Sequence, residues 1–378
     1  MAMMSFMIDS SFILIRIRIP LKSFRQHALL YAGILFLLTA NPMPAQFTCT
    51  TNADGTLTIT SYNGPTGAVA IPATINGHLV TSIGEGAFYT FHPSTSLTSV
   101  TIPGSITNIG EAAFANCAGL TNLVISNGVN IIEDDAFSDC TSLTNMCIPS
   151  SVTSIEDQAF QGCGLINVTI SNGITNIGEF AFANNPLSSI AIPSSVSAIG
   201  YAAFSECDSL TNVTIPSSIV SLGDNAFYAC ASLTNAIIAK EVVNLAYGMF
   251  ADCTDLAVYF EGDAPNVVGD TNDGSVFLFD RYSVAYYTAG TTGWSNTYQG
   301  IPAVEWNPAV APATMHNGQF GVTVTGNTNI PIQLQACTNL NSPVWTPLTN
   351  VSLTNGSFYY SEPVQSNSPS RFYRVVFP

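Results

Sequence analysis

Residues 204–227 read FSECDSLTNVTIPSSIVSLGDNAF, and this stretch recurs with small variations along the middle of the chain. The common pattern holds an Ala-Phe pair, a Cys three residues later, Leu-Thr, alternating aliphatic residues that end at Pro, and Ile-Gly. A repeat of constant length predicts a solenoid in which every copy is one coil. The aligned Phe residues are 22 to 26 residues apart: Phe88, Phe114, Phe137, Phe160, Phe182, Phe204, Phe227 and Phe250.

Within one copy, Leu210–Pro216 alternates apolar and polar residues, as a half-buried strand does. Val213 and Ile215 should face inward, and Pro216 should end the strand because it has no N–H to donate. One coil cannot bury its apolar side alone, so the core must come from stacking. We therefore predict a mainly β fold: a leucine-rich-repeat solenoid of about eight 22–26-residue units with β caps, followed by a small C-terminal β-sandwich domain.

The repeat resembles a known family. The pattern Ile-Pro-x-x-Val-x-x-Ile-Gly-x-x-Ala-Phe-x-x-Cys-x-x-Leu-Thr is similar to the BspA-type leucine-rich repeat of bacterial surface proteins, over roughly residues 69–260. The resemblance implies extracellular binding, with adhesion to host or matrix proteins in some members. More loosely, the segments Trp345–Leu348, Asn355–Phe358 and Arg371–Arg374 resemble C-terminal β modules of secreted proteins from environmental bacteria, which implies display or attachment.

The N-terminus has the features of a secretory signal peptide. A basic stretch runs from Arg16 to His27, and 13 apolar residues follow from Ala28 to Ala40, too few for a comfortable membrane span. An uncleaved anchor is the alternative. The predicted segments are a signal peptide (1–45), an N-terminal β cap (46–72), the repeats (73–260), a C-terminal cap of the solenoid (261–308), a linker (309–317) and a β-sandwich-like module (318–378).

Charge narrows the class of partner. Only 8% of the residues are charged and the net charge is −16; the first 45 residues carry +3, so the rest carries −19. Such a body repels nucleic acid and anionic membrane surfaces. We therefore expect no nucleic-acid partner, and no membrane span after signal cleavage.

Nine cysteines in an exported chain raise the question of disulfides. Six share one repeat position, where Asn185 stands once, and parallel side chains suit disulfide geometry poorly. We expect buried free thiols there and an outward-facing Cys147, while whether Cys147, Cys49 and Cys337 are free stays open. The six are Cys117, Cys140, Cys163, Cys207, Cys230 and Cys253.

A carboxylate stands three residues before most of the repeated Phe residues. We expect each to accept backbone N–H bonds at the start of a short helical turn that carries the Ala-Phe pair. A calcium-binding stripe is the alternative, and no other cofactor is expected. Asp270–Gly274 is interpreted as a turn rather than a calcium loop. The row consists of Glu85, Glu111, Asp134, Asp157, Glu179 and Asp224.

Catalytic motifs are missing from the sequence. It contains no Gly-x-Ser-x-Gly, His-Glu-x-x-His or Cys-x-x-Cys, and His78, His92 and His316 lie in separate regions. We therefore predict that the chain is not an enzyme, although a pair of acidic residues for glycoside hydrolysis leaves no sequence signature.

The outward positions of the predicted strands form the candidate binding face, because repeat proteins present their sheet to partners. An alternative is that its Asn/Ser row only stabilises the sheet as a hydrogen-bonded ladder. The aromatic residues of the C-terminal cap and the Thr90–Thr95 loop are better places for anchors, although we expect most of these aromatic residues to pack. The candidate residues are Ser99, Thr101, Asn122, Asn145, Asn167, Thr169, Asn212, Thr214 and Asn235.

These features favour an exported or cell-surface scaffold that binds an extracellular protein or polysaccharide. A structural component of the envelope without a discrete ligand is the alternative.

Overall fold

The computed structural model describes residues 6–8, 11–13, 46–89, 97–268, 275–280, 282–311, 314–316, 319–363 and 371–378. The chain divides into two units at Gln46. In the first unit, strands β1 (Phe6–Ile8) and β2 (Ser11–Ile13) pair antiparallel. The rest of the predicted signal peptide lies outside the described residues. In the described part of the chain no helix is long and apolar enough to cross a membrane.

The second unit is a β-solenoid, which confirms the predicted fold class. Its longer strands form a first ladder, parallel between neighbouring coils, in which Val213 and Ile215 face inward as predicted. The strands of the first ladder are β5 (Gly67–Ala70), β8 (Leu97–Ile102), β10 (Asn122–Ile125), β12 (Asn145–Ile148), β14 (Asn167–Ile170), β17 (Asn212–Ile215), β19 (Asn235–Ile238), β21 (Ala257–Phe260), β23 (Val284–Thr288) and β25 (Ile301–Trp306).

The first ladder loses one hydrogen bond wherever proline follows a strand. Where Ser126 follows a strand, its N–H donates to the Ile102 carbonyl of the preceding coil at 3.0 Å, and Ser171 and Ala239 make the equivalent bond. Pro149, Pro193 and Pro216 stand at the same position without an N–H. Strand pairing stops between β10 and β12, shrinks to the single bridge Asn167–Ser189 after β14, and resumes at β17.

A second parallel ladder, absent from the sequence-based prediction, follows the Val-x-x-Ile segments. Most of its strands are only two residues long, too short to show a period in sequence. Glycine follows many of them because the coils approach closely there: a Cβ on Gly223 would lie 2.3 Å from the Gly200 carbonyl carbon. Its strands are β4 (Leu57–Tyr62), β7 (His78–Ile83), β9 (Asn108–Ile109), β11 (Ile131–Ile132), β13 (Ser154–Ile155), β15 (Asn176–Ile177), β16 (Ala198–Ile199), β18 (Ser221–Leu222), β20 (Asn244–Ala246) and β22 (Asn266–Val268).

The first coil is capped by hairpins. β3 (Phe47–Thr51) pairs antiparallel with β4 around a turn that holds Asp54-Gly55, and β6 (Thr74–Ile75) pairs with β7. Gly55 has φ +81°, a conformation that favours glycine. At the other end, β24 (Thr297–Tyr298) pairs with β25.

Turns without a helix form the third side of each coil, so the predicted helical turn is wrong. The Phe160 N–H donates to the Ala181 carbonyl of the next coil at 2.9 Å, and the equivalent bond recurs along the solenoid. The Phe side chains stack face to face at centroid distances of 4.5 to 6.0 Å, from Phe88 to Phe277. The Tyr62 ring continues the stack at its start, 5.1 Å from Phe88.

The repeated cysteines form a buried ladder of free thiols, as predicted. Each thiol donates to the carbonyl of the Phe one coil earlier, for example Cys140 Sγ to Phe114 O at 3.3 Å. Asn185 takes the same place with an amide, and its Nδ2 donates to Phe160 O at 2.8 Å. The ladder therefore satisfies a carbonyl in every coil that it links.

The C-terminal module has two antiparallel sheets around one core. β28 (Gln319–Thr325) pairs with β26 (Ala309–Val310), β27 (Thr314–His316) and β31 (Ser357–Pro363). β29 (Pro331–Cys337) pairs with β30 (Thr346–Ser352) and β32 (Phe372–Val376). Both sheets contribute aliphatic side chains to a shared cluster, and the β-sandwich assignment stays a prediction. The cluster holds Val322, Val324, Ile330, Ile332, Leu334 and Leu353.

The predicted linker at 309–317 is corrected. Within it, β26 and β27 both pair with β28, so this stretch belongs to the module. The module also packs against the solenoid: Phe377 lies 4.6 Å from the Tyr259 ring and 4.2 Å from Trp306. Because Trp306 Nε1 donates to Pro331 O at 2.8 Å, polar and apolar contacts together fix the junction.

Asp280 occupies the next position of the thiol ladder, three residues after Phe277. Its Oδ1 is buried without a partner in the described residues, while Oδ2 accepts from Ser283 Oγ at 3.5 Å. Burial raises the pKa of the Asp280 carboxyl to about 7; the Asp252 charge adds to this, and bonds from the Cys253 amide and Ser283 oppose it. A carboxylate cannot donate to a carbonyl as the thiols do.

We expect the stability of the C-terminal cap to depend on the protonation of Asp280. Since the pKa in the folded state is raised, the stabilising contribution is full below about pH 4 and is lost as pH rises through about 7. The variant Asp280→Asn should therefore melt above wild type at pH 8, and this difference should shrink as pH falls. Melting temperatures of both proteins from pH 4 to 8 check it; a difference that is constant with pH would contradict it.

Candidate binding face

The outer face of the first ladder exposes two rows of small, uncharged side chains. Of the nine candidate residues, Ser99 and Asn235 are half-buried and the other seven are exposed. The Thr row continues through Val124, Cys147 and Ala191, which are also exposed. Charged side chains do not occur in either row between residues 99 and 237. The structure thus presents these residues on one side of the solenoid.

Hydrogen bonds link part of the Asn row along the solenoid axis. Asn122 Nδ2 donates to Ser99 Oγ at 2.9 Å, Asn167 Nδ2 to Asn145 Oδ1 at 2.9 Å, and Asn235 Nδ2 to Asn212 Oδ1 at 3.1 Å. Each link uses one donor of an amide and one acceptor of the neighbouring side chain, whereas an amide has two donors and two acceptor sites. Asn145, Asn212 and Asn235 also donate to the hydroxyl of the Thr that precedes each of them. The row therefore stabilises the ladder and keeps hydrogen-bonding capacity at the surface.

A second set of hydroxyls was missed in the sequence. The Thr121 hydroxyl donates to the Thr98 carbonyl at 3.0 Å, and Thr234 makes the equivalent bond to Thr211 O at 3.3 Å. Thr153 and Thr175 form a similar chain beside the second ladder. The Leu-Thr pair of the repeat signals this role, because the Thr hydroxyl joins the backbone N–H of the same residue in donating to the carbonyl of the preceding coil.

The repeat region matches the model of a known protein family. A family model described as the BspA type leucine rich repeat region matches six copies over residues 70–187 and 175–260, just over half of the chain. The chain belongs to the BspA-type leucine-rich-repeat family. No curated protein matches the sequence significantly.

Solved structures of bacterial leucine-rich-repeat proteins resemble this BspA-type chain. A leucine-rich repeat protein from Bacteroides ovatus is 24% identical with a TM-score of 0.50, over 69% of this chain and 75% of that one. A leucine rich cell surface protein from Faecalibacterium prausnitzii is 24% identical over 69% and 93% of the two chains, with a TM-score of 0.31. At such identities, the first of these likenesses shows the fold alone.

The C-terminal module limits the exposed face of the BspA-type solenoid. The Thr row continues into Tyr259, Tyr286 and Val304 on β21, β23 and β25. Tyr259 is fully buried beneath Phe377, and Tyr286 and Val304 pack against the core of the module. Tyr259 and Tyr286 are therefore among the cap aromatic residues that pack, and they contact the module instead of offering anchors. The Thr90–Thr95 loop lies outside the described residues.

The acidic row bonds between coils rather than within one turn. Asp134 Oδ1 accepts the N–H of Asp157 at 3.1 Å, Asp157 Oδ1 that of Glu179 at 2.7 Å, and Asp224 Oδ1 that of Tyr247 at 3.1 Å. Acceptance of backbone N–H groups is thus seen, with the donor one coil further on. In the described part of the chain no group of three or more His, Cys, Asp or Glu side chains could hold a metal ion. Calcium on this row stays a prediction, and Asp270–Gly274 lies outside the described residues.

Two shallow cavities contain acidic side chains. One of about 340 Å³ lies where the second ladder is interrupted between β18 and β20, and Glu241 is its one acidic residue. Another, of about 250 Å³, is lined by Asn185, Glu206 and Asp208, and both carboxylates are exposed. Glycosidases raise the pKa of their catalytic acid by burying it, and an exposed pair of carboxylates lacks that burial.

The remaining cysteines differ from the ladder. Cys147 is exposed on the outer face, as predicted, while Cys337 is buried in the module and Cys49 is half-buried. All three are free thiols. Cys147 is therefore a natural chemical probe of the candidate face.

Proposed function

We propose that this protein is exported to the bacterial cell surface and binds an extracellular protein or polysaccharide through the outer face of its first ladder. The observation that supports this most is the open, uncharged face between Ser99 and Ile237, which the C-terminal module leaves uncovered. Unused amide and hydroxyl groups on this face suit a polar ligand. The predicted signal peptide supports export.

A binding role is favoured over catalysis. Family membership links the chain to repeat proteins, and repeat solenoids serve as extended recognition surfaces. The carboxylates that line the two described cavities are exposed to solvent and not enclosed in a buried site.

A structural role in the envelope is a second candidate. The hydrogen bonds along Asn145, Asn167 and Ser188 favour it, because they show that the Asn row already supports the solenoid. Cell fractionation combined with a binding assay distinguishes the two proposed functions. A structural component is expected in the envelope fraction and should bind no soluble ligand.

A charge placed on the face tests the binding proposal. Thr214→Arg puts a bulky cation on the exposed face, and Val220→Arg puts the same side chain in the same coil beside the second ladder, where Val220 is 84% exposed. We expect Thr214→Arg to lower the affinity for retained matrix proteins or polysaccharides at least tenfold, while Val220→Arg binds like wild type. Immobilised ligand panels with the full chain provide the measurement.

The control is that both variants melt at the wild-type temperature. Equal binding by Thr214→Arg and wild type would place the ligand elsewhere. Retention of no ligand at micromolar concentration would count against binding altogether.

A further inference from the structure

The C-terminal module differs in charge from the rest of the chain. Residues 308–378 contain Arg371, Arg374 and one acidic residue, Glu362, and so carry +1 in a chain of net charge −16. Arg371 Nη1 lies 2.5 Å from Glu362 Oε2, and the Tyr373 hydroxyl donates to the same carboxylate. Arg374 has no carboxylate partner among the described residues. The module therefore presents one uncompensated cation.

Arg374 lies at the end of a polar row on the outer face of β29, β30 and β32. Register pairs Gln335 with Arg374 and Gln333 with Asn350. Arg374 Nε donates to Gln335 Oε1 at 2.9 Å, Gln335 Nε2 donates to Gln333 Oε1, and Gln333 Nε2 donates to Asn350 Oδ1 at 3.0 Å. We call Asn350, Gln333 and Gln335 the amide row. The amide row lies on β29 and β30, on the side opposite the module core, and Arg374 extends it onto β32.

Trp345 completes this surface. The guanidinium carbon of Arg374 lies 4.4 Å from the centre of the Trp345 ring, within the range of a cation–π contact. That contact and the bond to Gln335 use one face and one nitrogen of the guanidinium group. Its other N–H donors have no partner in the described residues, so the arginine is held in place with its terminal donors available.

The chemistry of these groups matches an acidic sugar. A guanidinium fork binds a carboxylate through two parallel hydrogen bonds. Amide side chains both donate to and accept from hydroxyl groups, and an indole offers an apolar surface to a ring. An open strand face, rather than a closed cavity, suits one residue in a long polymer.

We propose that the outer face of β29, β30 and β32 binds a uronic acid residue of an extracellular polysaccharide, with Arg374 on the carboxylate and the amide row on the hydroxyls. The inference goes beyond the proposed function because it assigns a second ligand surface, on the module instead of the solenoid. Its failure leaves the solenoid proposal standing.

Binding of the full chain to polygalacturonate, its methyl ester and poly-L-glutamate tests the inference. We expect binding to polygalacturonate, at least tenfold weaker binding to the methyl ester, which lacks the charge, and at least tenfold weaker binding to poly-L-glutamate, which lacks the hydroxyls. Arg374→Gln should lower the affinity for polygalacturonate at least tenfold, and so should Asn350→Asp, which places a negative charge on the amide row.

Lys240→Gln is the matched control. It removes one positive charge from an exposed side chain of the solenoid, where Lys240 Nζ lies 3.5 Å from Glu241, and should bind polygalacturonate like wild type. Unchanged binding by Arg374→Gln, no binding by wild type, or equal binding to poly-L-glutamate would each overturn the inference. Loss of polygalacturonate binding in Thr214→Arg instead would move the site to the solenoid face.

Discussion

Phe160→Ala should lower the free energy of unfolding by about 3–5 kcal/mol, the usual result of truncating a fully buried phenylalanine. The ring is inaccessible to solvent and stacks between Phe137 at 5.3 Å and Phe182 at 5.4 Å. Its removal opens a cavity between two coils and weakens both interfaces at once. Urea unfolding of the full chain measures the loss.

The control for this variant is Tyr201→Ala, which removes an aromatic ring that is 40% exposed on the turn side. Its ring contacts Phe180 edge to face at 5.2 Å, so a loss of about 1 kcal/mol is expected. Equal losses in the two variants would show that the stacked Phe residues do not form the core of the solenoid.

Asn185→Ala should lower the free energy of unfolding by about 2–4 kcal/mol, nearly as much as Phe160→Ala, because the Asn185 side chain hydrogen-bonds to two backbone groups of the preceding coil. Its Nδ2 donates to Phe160 O, and its Oδ1 accepts the N–H of Leu165 at 3.1 Å. In four other coils the Leu N–H bonds to the Cys carbonyl of its own turn, as Leu143 does with Cys140 O at 2.9 Å. The turn from Phe160 to Leu165 is one residue shorter, and Asn185 replaces the missing acceptor.

The variant Asn185→Cys distinguishes this role from simple packing. It restores the residue found at the same position of the other coils, yet a thiol can donate to Phe160 O without accepting from Leu165 N–H. We expect a loss of about 1–3 kcal/mol, smaller than for Asn185→Ala, together with faster hydrogen exchange at the Leu165 amide. An Asn185→Cys protein as stable as wild type would show that Asn185 is only a space-filling residue.

The sequence predicted those features that repeat in every copy. The period set by the Phe residues, the inward Val213 and Ile215, and the free buried thiols all appear in the structure. Each depends on a pattern that recurs eight times or nearly so. Because equivalent coils stack on one another, a residue at a repeated position takes the same place in every coil.

Features that occur once or join distant residues were not predictable. The contact of Phe377 with Tyr259 links the residue after the last strand of the module to the solenoid, and no local pattern indicates it. Packing of the cap aromatic residues was expected, but their partner, the module, was not. The two-residue strands of the second ladder were missed because alternation needs at least four residues to be visible.

The candidate face was predictable in position and not in its hydrogen bonding. Alternation alone placed Thr101, Asn122 and Thr214 outward. Whether neighbouring amides bond along the axis depends on rotamers, as in the pair Asn235 and Asn212. Sequence therefore located the face, and the structure showed how much of its polar capacity the solenoid itself uses.

Native thiol labelling of the full chain tests the central claim, a closed solenoid with one open face, most directly. Only a thiolate reacts, and burial raises the pKa of the Cys117 thiol to about 12 and that of Cys207 further still. Mass spectrometry after brief treatment with a maleimide should find Cys147 modified first, the six ladder cysteines unmodified, and Cys147 protected when a ligand occupies the face. Modification of ladder cysteines as fast as Cys147 would contradict the closed core, and undiminished labelling of Cys147 in the ligand-bound protein would contradict binding at this face.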